Sequence, residues 1–234
     1  MESSLKALFV HVPRCGGMSF YYFLEEIFGK ENCTRFGDNN SVTGFLESDE
    51  KYIEAACLSG HVPYQFFRDR GCEKKRFSIA FLRDPEAREI SCLSHMKGND
   101  YSDHLSIPSE NQKDYWKYFS SENTLHNIQS SYFSEDRKSI SAAECILEGR
   151  ICVFDIDDIF VVADVIKTFA KVNNMPAHTN GSESKKIELT IAGKKAIENY
   201  CAEDTALHTW VKNNRQFFLD QLKIELWKSY LQSK

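Results

Sequence analysis

Residues 7–29 read ALFVHVPRCGGMSFYYFLEEIFG, and this stretch decides the fold. Ala7 to Val12 is a short apolar run of the kind that forms a buried parallel strand. Pro13 cannot continue that strand because it has no N–H donor, and the Gly16–Gly17 pair permits a tight turn. From Met18 onward apolar residues recur at helical spacing, and Gly29 is placed to end the helix. The stretch therefore predicts a strand, a turn and a helix in direct succession.

A helix that begins directly after a glycine turn offers a site for an anion. The first-turn amides have no intrahelical partners, and the helix dipole places partial positive charge there. Arg14 adds a full charge, and Ser19 adds a hydroxyl. The stretch is not a Walker A loop, since no Gly-Lys-Ser/Thr follows the glycines, and it has no GxGxxG fingerprint. On shape alone, an ordinary strand-to-helix turn that requires glycine remains an open interpretation.

Length and composition favour one α/β domain spanning residues 1–234. The hydrophobic fraction of 42% excludes a largely disordered chain, and the net charge of −5 argues against a nucleic-acid binder. The eight cysteines contain no CxxC pair and no metal-ligand spacing, so we expect reduced thiols and no metal site. No apolar run reaches membrane-spanning length, so we expect no membrane partner and a cytoplasmic location.

Further strand and helix patterns follow along the chain. Apolar runs at 52–60, 76–82 and 151–156 predict three more strands, and residues 30–50 read as a loop with room for one short helix or strand. Helical patterns cover residues 85–94, 115–133, 141–148 and 159–172, and two helices follow Thr190, which caps the first of them. Polar stretches at 97–111 and 173–186 predict loops. This alternation predicts a parallel sheet with helices on both faces.

A second chemical motif reads LRDPEAREIS and spans Leu82 to Ser91. It is again a strand end that leads into a helix, with Asp84 as the cap and Pro85 at the first helical position. Arg83 at the strand end and Ser91 two turns into the helix can contact the same phosphate, one through its guanidinium fork and the other through its hydroxyl. A capped helix with a surface arginine is the alternative.

The two motifs together resemble those of sulfotransferases that use 3′-phosphoadenosine 5′-phosphosulfate (PAPS). The first stretch is similar to the 5′-phosphosulfate loop F-(V/I)-H-(I/V)-P-K-(T)-G-G-T-S, and the second to the 3′-phosphate motif L-R-D-P-x-x-R-x-x-S. The closest resemblance is to the carbohydrate O-sulfotransferases, the branch with the heparan sulfate 2-O-sulfotransferases. Arg14 stands where that family has lysine, and Met18 where it has threonine.

The resemblance implies a P-loop-like three-layer α/β/α fold and an O-sulfation reaction that uses PAPS. It implies that His61, in a Gly-His pair between the two motifs, is the general base, and that Arg14 stabilises the leaving group. The other cofactor-binding positions that it implies are Cys15, Gly16, Gly17, Met18, Ser19, Phe20, Arg83, Ser91, Asn180 and Ser182. Weaker similarities lie at 127–133 and 197–207.

Other interpretations remain open at this point. His11, His95, His126 and Glu86 are lesser candidates for the base. The acceptor is expected to be a carbohydrate or a small-molecule alcohol, bound by residues 30–55 and 97–135. A nucleotide-dependent kinase is one alternative function, although the chain lacks Gly-Lys-Ser/Thr. A nucleotide-binding scaffold that has lost its chemistry is the other.

Overall fold

A computed structural model describes residues 5–36, 54–98, 127–170 and 191–232. The strands are β1 Ala7–Val10, β2 Cys33–Phe36, β3 Cys57–Gly60, β4 Phe77–Leu82 and β5 Cys152–Asp155. The helices are α1 Gly17–Phe28, α2 Tyr64–Arg68, α3 Pro85–Gly98, α4 Ile128–Ser131, α5 Ser139–Gly149, α6 Ile159–Ala170, α7 Ile191–Tyr200, α8 Ala202–Asn213 and α9 Arg215–Gln232. Short 3₁₀ turns span Lys30–Asn32, Cys72–Lys75 and Ile156–Asp158.

The five strands form one parallel sheet in the order β2-β3-β1-β4-β5. The central strand β1 pairs Ala7 with Cys57 of β3 on one side and with Phe77 of β4 on the other. All four residues of β1 are buried, as are all residues of β3, β4 and β5. The predicted α/β class with a central parallel sheet is confirmed.

One face of the sheet packs against α1 and α9 through aromatic rings. Phe81 of β4 lies edge-on to Phe20 of α1, with ring centroids 4.8 Å apart. Phe154 of β5 lies edge-on to Phe218 of α9 at 6.2 Å. Because side chains alternate along a strand, these residues define a single face.

Helices contact the opposite face as well. Ser78, one residue out of phase with Phe77, lies close to the side chain of Tyr64 in α2. At the end of β5, Asp155 Oδ2 lies 2.6 Å from Nε2 of His208 in α8. Helices therefore pack on both faces of the sheet.

The structure corrects several element boundaries. Strand β1 ends at Val10 rather than Val12. The short strand that the sequence allowed within residues 30–50 is β2, at the edge of the sheet. A continuous helix over 115–133 is wrong in its described part, because Asn127 has a left-handed φ of 50° and α4 begins after it. The two predicted C-terminal helices are three, with breaks at Cys201 and Asn214. The predicted cap Thr190 lies outside the described residues.

No helix in the described part of the chain is both long enough and apolar enough to cross a bilayer.

Candidate functional site

The strand order creates a crevice at the carboxyl ends of β1 and β4. From β1 the chain passes through α1 to β2, on one side of the sheet, whereas β5, which follows β4, lies on the other side. Loops that leave neighbouring parallel strands in opposite directions open a crevice between them, and open α/β sheets bind ligands there. The two motifs identified in the sequence follow these two strands.

The turn after β1 has a conformation that requires glycine. Gly16 has a φ of 74°, and a Cβ added to it would lie 2.7 Å from Cδ1 of Ile156. A Cβ on Gly17 would overlap the ring of His11, which lies directly beneath it. Arg14 also has a positive φ, 65°, which turns the chain sharply before the helix. Both glycines are therefore needed for the tight turn, and the amides at the start of α1 have no intrahelical partners.

Arg14, Arg83 and Ser91 converge on this crevice. Arg14 donates to Oγ of Ser91 from Nε at 3.1 Å and from a terminal nitrogen at 3.0 Å. Arg83 reaches the carbonyl oxygen of Arg14 at 3.5 Å. Burial lowers the pKa of Arg14; nearby Cys92 opposes this effect, while the cations Arg83 and Arg88 add to it. Two guanidinium groups and a hydroxyl from opposite sides of the crevice therefore form a compact cationic cluster.

Gln129 ties the two sides of the crevice together. Its side-chain oxygen accepts the N–H of Arg83 at 2.8 Å, and its side-chain nitrogen donates to the carbonyl of Arg83 at 2.8 Å. The same oxygen accepts a weaker bond from the thiol of Cys15 at 3.5 Å. The Gln129 side chain, fully buried, thus pairs with the end of β4 as another strand would, and it holds the backbone of Arg83 against the turn.

A buried carboxylate fixes Gln129 in turn. Asp204 of α8 accepts the backbone N–H of Gln129 at 3.0 Å and that of Ser130 at 2.7 Å, capping α4 from a distance. Burial raises the pKa of Asp204, although these two amide bonds act in the opposite direction. Asn127 completes the connection by accepting the backbone N–H of Asp204 at 3.3 Å.

Arg88 supports the turn from below. Its Nε donates to the carbonyl oxygen of Pro13 at 3.2 Å, and its terminal nitrogen pairs with Glu89. Arg88 is 2% exposed, so its charge is compensated inside the protein and its side chain is a structural support for the turn.

His61 lies at the end of β3, next to the same edge of the sheet. Its Nδ1 is 2.9 Å from the carbonyl oxygen of His11, and a carbonyl can only accept. Nδ1 therefore carries the proton, and Nε2 is the unprotonated nitrogen of the neutral ring. The two imidazoles are in contact, with ring centroids 4.0 Å apart. His61 is half-buried, whereas His11 is buried and its pKa falls to about 2, chiefly because of burial and then because of His61 and Arg35.

The structure brings together some of the sequence-predicted site residues and separates others. Gly16 precedes α1 at the crevice, Gly17 and Met18 begin the helix, and Ser19 is a half-buried residue in its first turn. The side chains of Cys15 and Phe20 lie in the hydrophobic core. Asn180 and Ser182, like His95 and His126, lie outside the residues whose side chains are described.

Sequence reasoning did not place Gln129, Arg88 or Asp204 in the site. Gln129 and Asp204 fall within the two weaker similarities at 127–133 and 197–207, and Arg88 is part of the LRDPEAREIS motif. The two similarities and the motif indicated which segments belong to the site, but not which residues contact one another there. Compared with models of known protein families and with curated protein sequences, the chain gives no match.

Proposed function

We propose that this protein is a sulfotransferase that transfers a sulfuryl group from PAPS to the hydroxyl of a carbohydrate or a small-molecule alcohol. The observation that carries the proposal is the convergence of Arg14, Arg83 and Ser91 at the crevice between β1 and β4. Within this proposal the turn and the sheet form a P-loop-like phosphate site, and the chain acts in the cytoplasm.

The residues of the crevice fit a ligand that carries two separate phosphates. The first amides of α1 have no intrahelical partners and lie at the positive end of the helix dipole, so they can bind an anion. Arg83 and Ser91, from the β4 side, are placed to hold a second phosphate. Arg14 lies between the two groups. Its present partner is a neutral hydroxyl, so an anionic oxygen would bind it more strongly and displace that bond.

The proposed mechanism assigns a role to each polar group. PAPS, when bound, supplies the sulfuryl group and leaves as the nucleotide PAP. His61 Nε2 takes the proton of the acceptor hydroxyl, and the bond from Nδ1–H to the His11 carbonyl stabilises the imidazolium that results. Arg14 and the first amides of α1 stabilise the charge that develops on the leaving phosphate oxygen.

An open groove next to His61 is the proposed acceptor site. The groove has a volume of about 690 Å³ and begins at Val62 and Pro63, the residues that follow His61. The half-buried Phe66 provides apolar surface in it, and the polar residues around it provide hydrogen-bonding groups. A mixed lining of this kind suits a hydroxyl-bearing molecule.

Thermal unfolding with added nucleotides tests the cofactor. PAP at about a hundred times its Kd should stabilise the protein by about 2.7 kcal/mol, which raises Tm by roughly 5–10 °C at this chain length. The nucleotide 5′-AMP lacks the 3′-phosphate and should bind more weakly than PAP. In the Arg83→Ala variant the two nucleotides should raise Tm by similar amounts. Lys74→Ala, which changes an exposed cation before β4, is the matched control. A Tm rise with ATP–Mg²⁺ but not with PAP would favour the kinase, and no rise with either would refute a nucleotide site.

A further inference from the structure

Helix α9 is apolar on two opposite sides. Its inner side is buried against the sheet and contains Phe218, Leu222 and Leu226. Its outer side contains Phe217, Ile224, Trp227 and Leu231, whose exposed fractions are 48%, 54%, 54% and 54%. At 100° per residue these four side chains fall within an arc of about 80°, opposite the buried side. A surface helix normally presents polar residues there, so this outer stripe has the composition of a contact surface.

The outer stripe is complementary to itself about Ile224. Phe217 and Leu231 each lie seven residues from Ile224, one before it and one after it. Asp220 and Lys228 each lie four residues away, again on either side, and they carry opposite charges. If two such helices cross in antiparallel orientation at Ile224, Phe217 meets Leu231, Ile224 meets its own copy, and each charge meets its opposite. Trp227 lies three residues after Ile224 and faces the polar Gln221.

We propose that the outer stripe of α9 is the interface of a homodimer in which two copies cross in antiparallel orientation about a two-fold axis at Ile224. A two-fold interface uses the same patch on both subunits, so residue i contacts j and j contacts i. Residues four apart form the ridge that packs into a facing helix, and Asp220, Ile224 and Lys228 form such a ridge here.

Asp220 and Lys228 can exchange their present partners for each other across the interface. Asp220 now lies 3.5 Å from Lys223, and Lys228 lies 2.8 Å from Glu225, both within the helix. These ion pairs are partly or largely exposed, so they contribute little and can rearrange when a second copy approaches. Asp220 within the stripe also disfavours a lipid surface as the occupant, because helices that lie on membranes carry their charges, mainly cationic, on the other face.

Sedimentation velocity of the full chain over a wide concentration range tests the proposal. We expect a reversible monomer–dimer equilibrium, and Ile224→Glu, which places two carboxylates at the axis, should raise the dimer Kd by about tenfold or more. The matched control is Ile140→Glu on α5, where an isoleucine is 73% exposed outside the stripe. This control should leave the equilibrium unchanged. A monomer at every concentration, or a dimer that Ile224→Glu does not weaken, would overturn the proposal.

A charge reversal tests the antiparallel register separately. Asp220→Lys and Lys228→Asp should each weaken the dimer, since each places like charges opposite one another. The double variant D220K/K228D should restore the dimer towards the wild-type Kd. A double variant weaker than both single variants would show that these positions do not face each other and would refute the register. Melting temperatures of all the variants confirm that each is folded.

Discussion

The buried imidazole of His11 should make this protein sensitive to mild acid. His11 is 3% exposed, and its Nδ1 has no hydrogen-bond partner among the described residues. Burial, with smaller effects of His61 and Arg35, lowers its pKa to about 2, whereas an unfolded histidine titrates near 6.5. Between these values the unfolded chain binds a proton that the native protein does not bind. The stability that the protein gains by keeping His11 neutral is therefore complete above about pH 6.5 and is lost as the pH falls towards 2.

The size of this effect follows from the pKa difference. Each pH unit below about 6.5 costs about 1.4 kcal/mol, so acidification to about pH 5 costs ~2 kcal/mol. At this chain length that lowers Tm by roughly 4–8 °C. Replacement of His11 with asparagine should lower Tm at neutral pH, because it removes packing beneath Gly17, but it should also flatten the dependence on pH.

Calorimetry of the wild type and His11→Asn across this pH range provides the measurement. His61→Ala separates the two causes, since it removes the neighbouring imidazole. Most of the pH dependence should remain in this variant, because burial is the larger cause of the lowered pKa of His11. The decisive quantity is the slope of Tm against pH, compared between the wild type and His11→Asn. Equal slopes for the two proteins, or a wild-type Tm that does not change between about pH 6.5 and 5, would refute the reasoning.

Three further predictions concern the crevice. Arg14→Ala should lose most of kcat in a PAPS transfer assay while PAP still raises Tm, and near-normal turnover would contradict the role of Arg14 in stabilising the leaving group. His61→Ala should abolish transfer without weakening PAP binding, and unchanged turnover would exclude Nε2 as the base. Gln129→Ala leaves the backbone N–H and C=O of Arg83 unpaired, so we expect a loss of about 2–4 kcal/mol in unfolding free energy. Urea unfolding measures this loss, with Gln65→Ala on α2 as a control that should change stability by less than about 0.5 kcal/mol.

Sequence patterns predicted those strands, turns and helices whose structure depends mainly on their own residues. The apolar run of β1, the glycine turn and α1 follow one another within 22 residues, from Ala7 to Phe28, and each has a distinct pattern. The short strand β2 was less clear, because its four residues, Cys-Thr-Arg-Phe, include only one fully buried side chain at the edge of the sheet. The break at Asn214 was missed because apolar spacing continues through it from α8 into α9.

Contacts between distant segments were beyond the reach of sequence patterns. The sequence placed Arg14, Arg83 and Ser91 at the ends of strands, and the parallel pairing of β1 with β4 brings them together. Gln129 meets Arg83 across 46 residues, and Asp204 meets Gln129 across 75. Such pairs depend on how α4 and α8 pack, and hydrophobic periodicity carries no information about which polar residue will be the partner.

The close fit between His11 and Gly17 links the evolution of these two positions. The imidazole fills the space that any side chain at residue 17 would need, so a larger residue there is tolerated only with a smaller one at residue 11. Among related sequences we expect the two positions to covary, with substitutions appearing in pairs. A library randomised at both positions and selected for folding should recover such pairs and reject most single changes at residue 17.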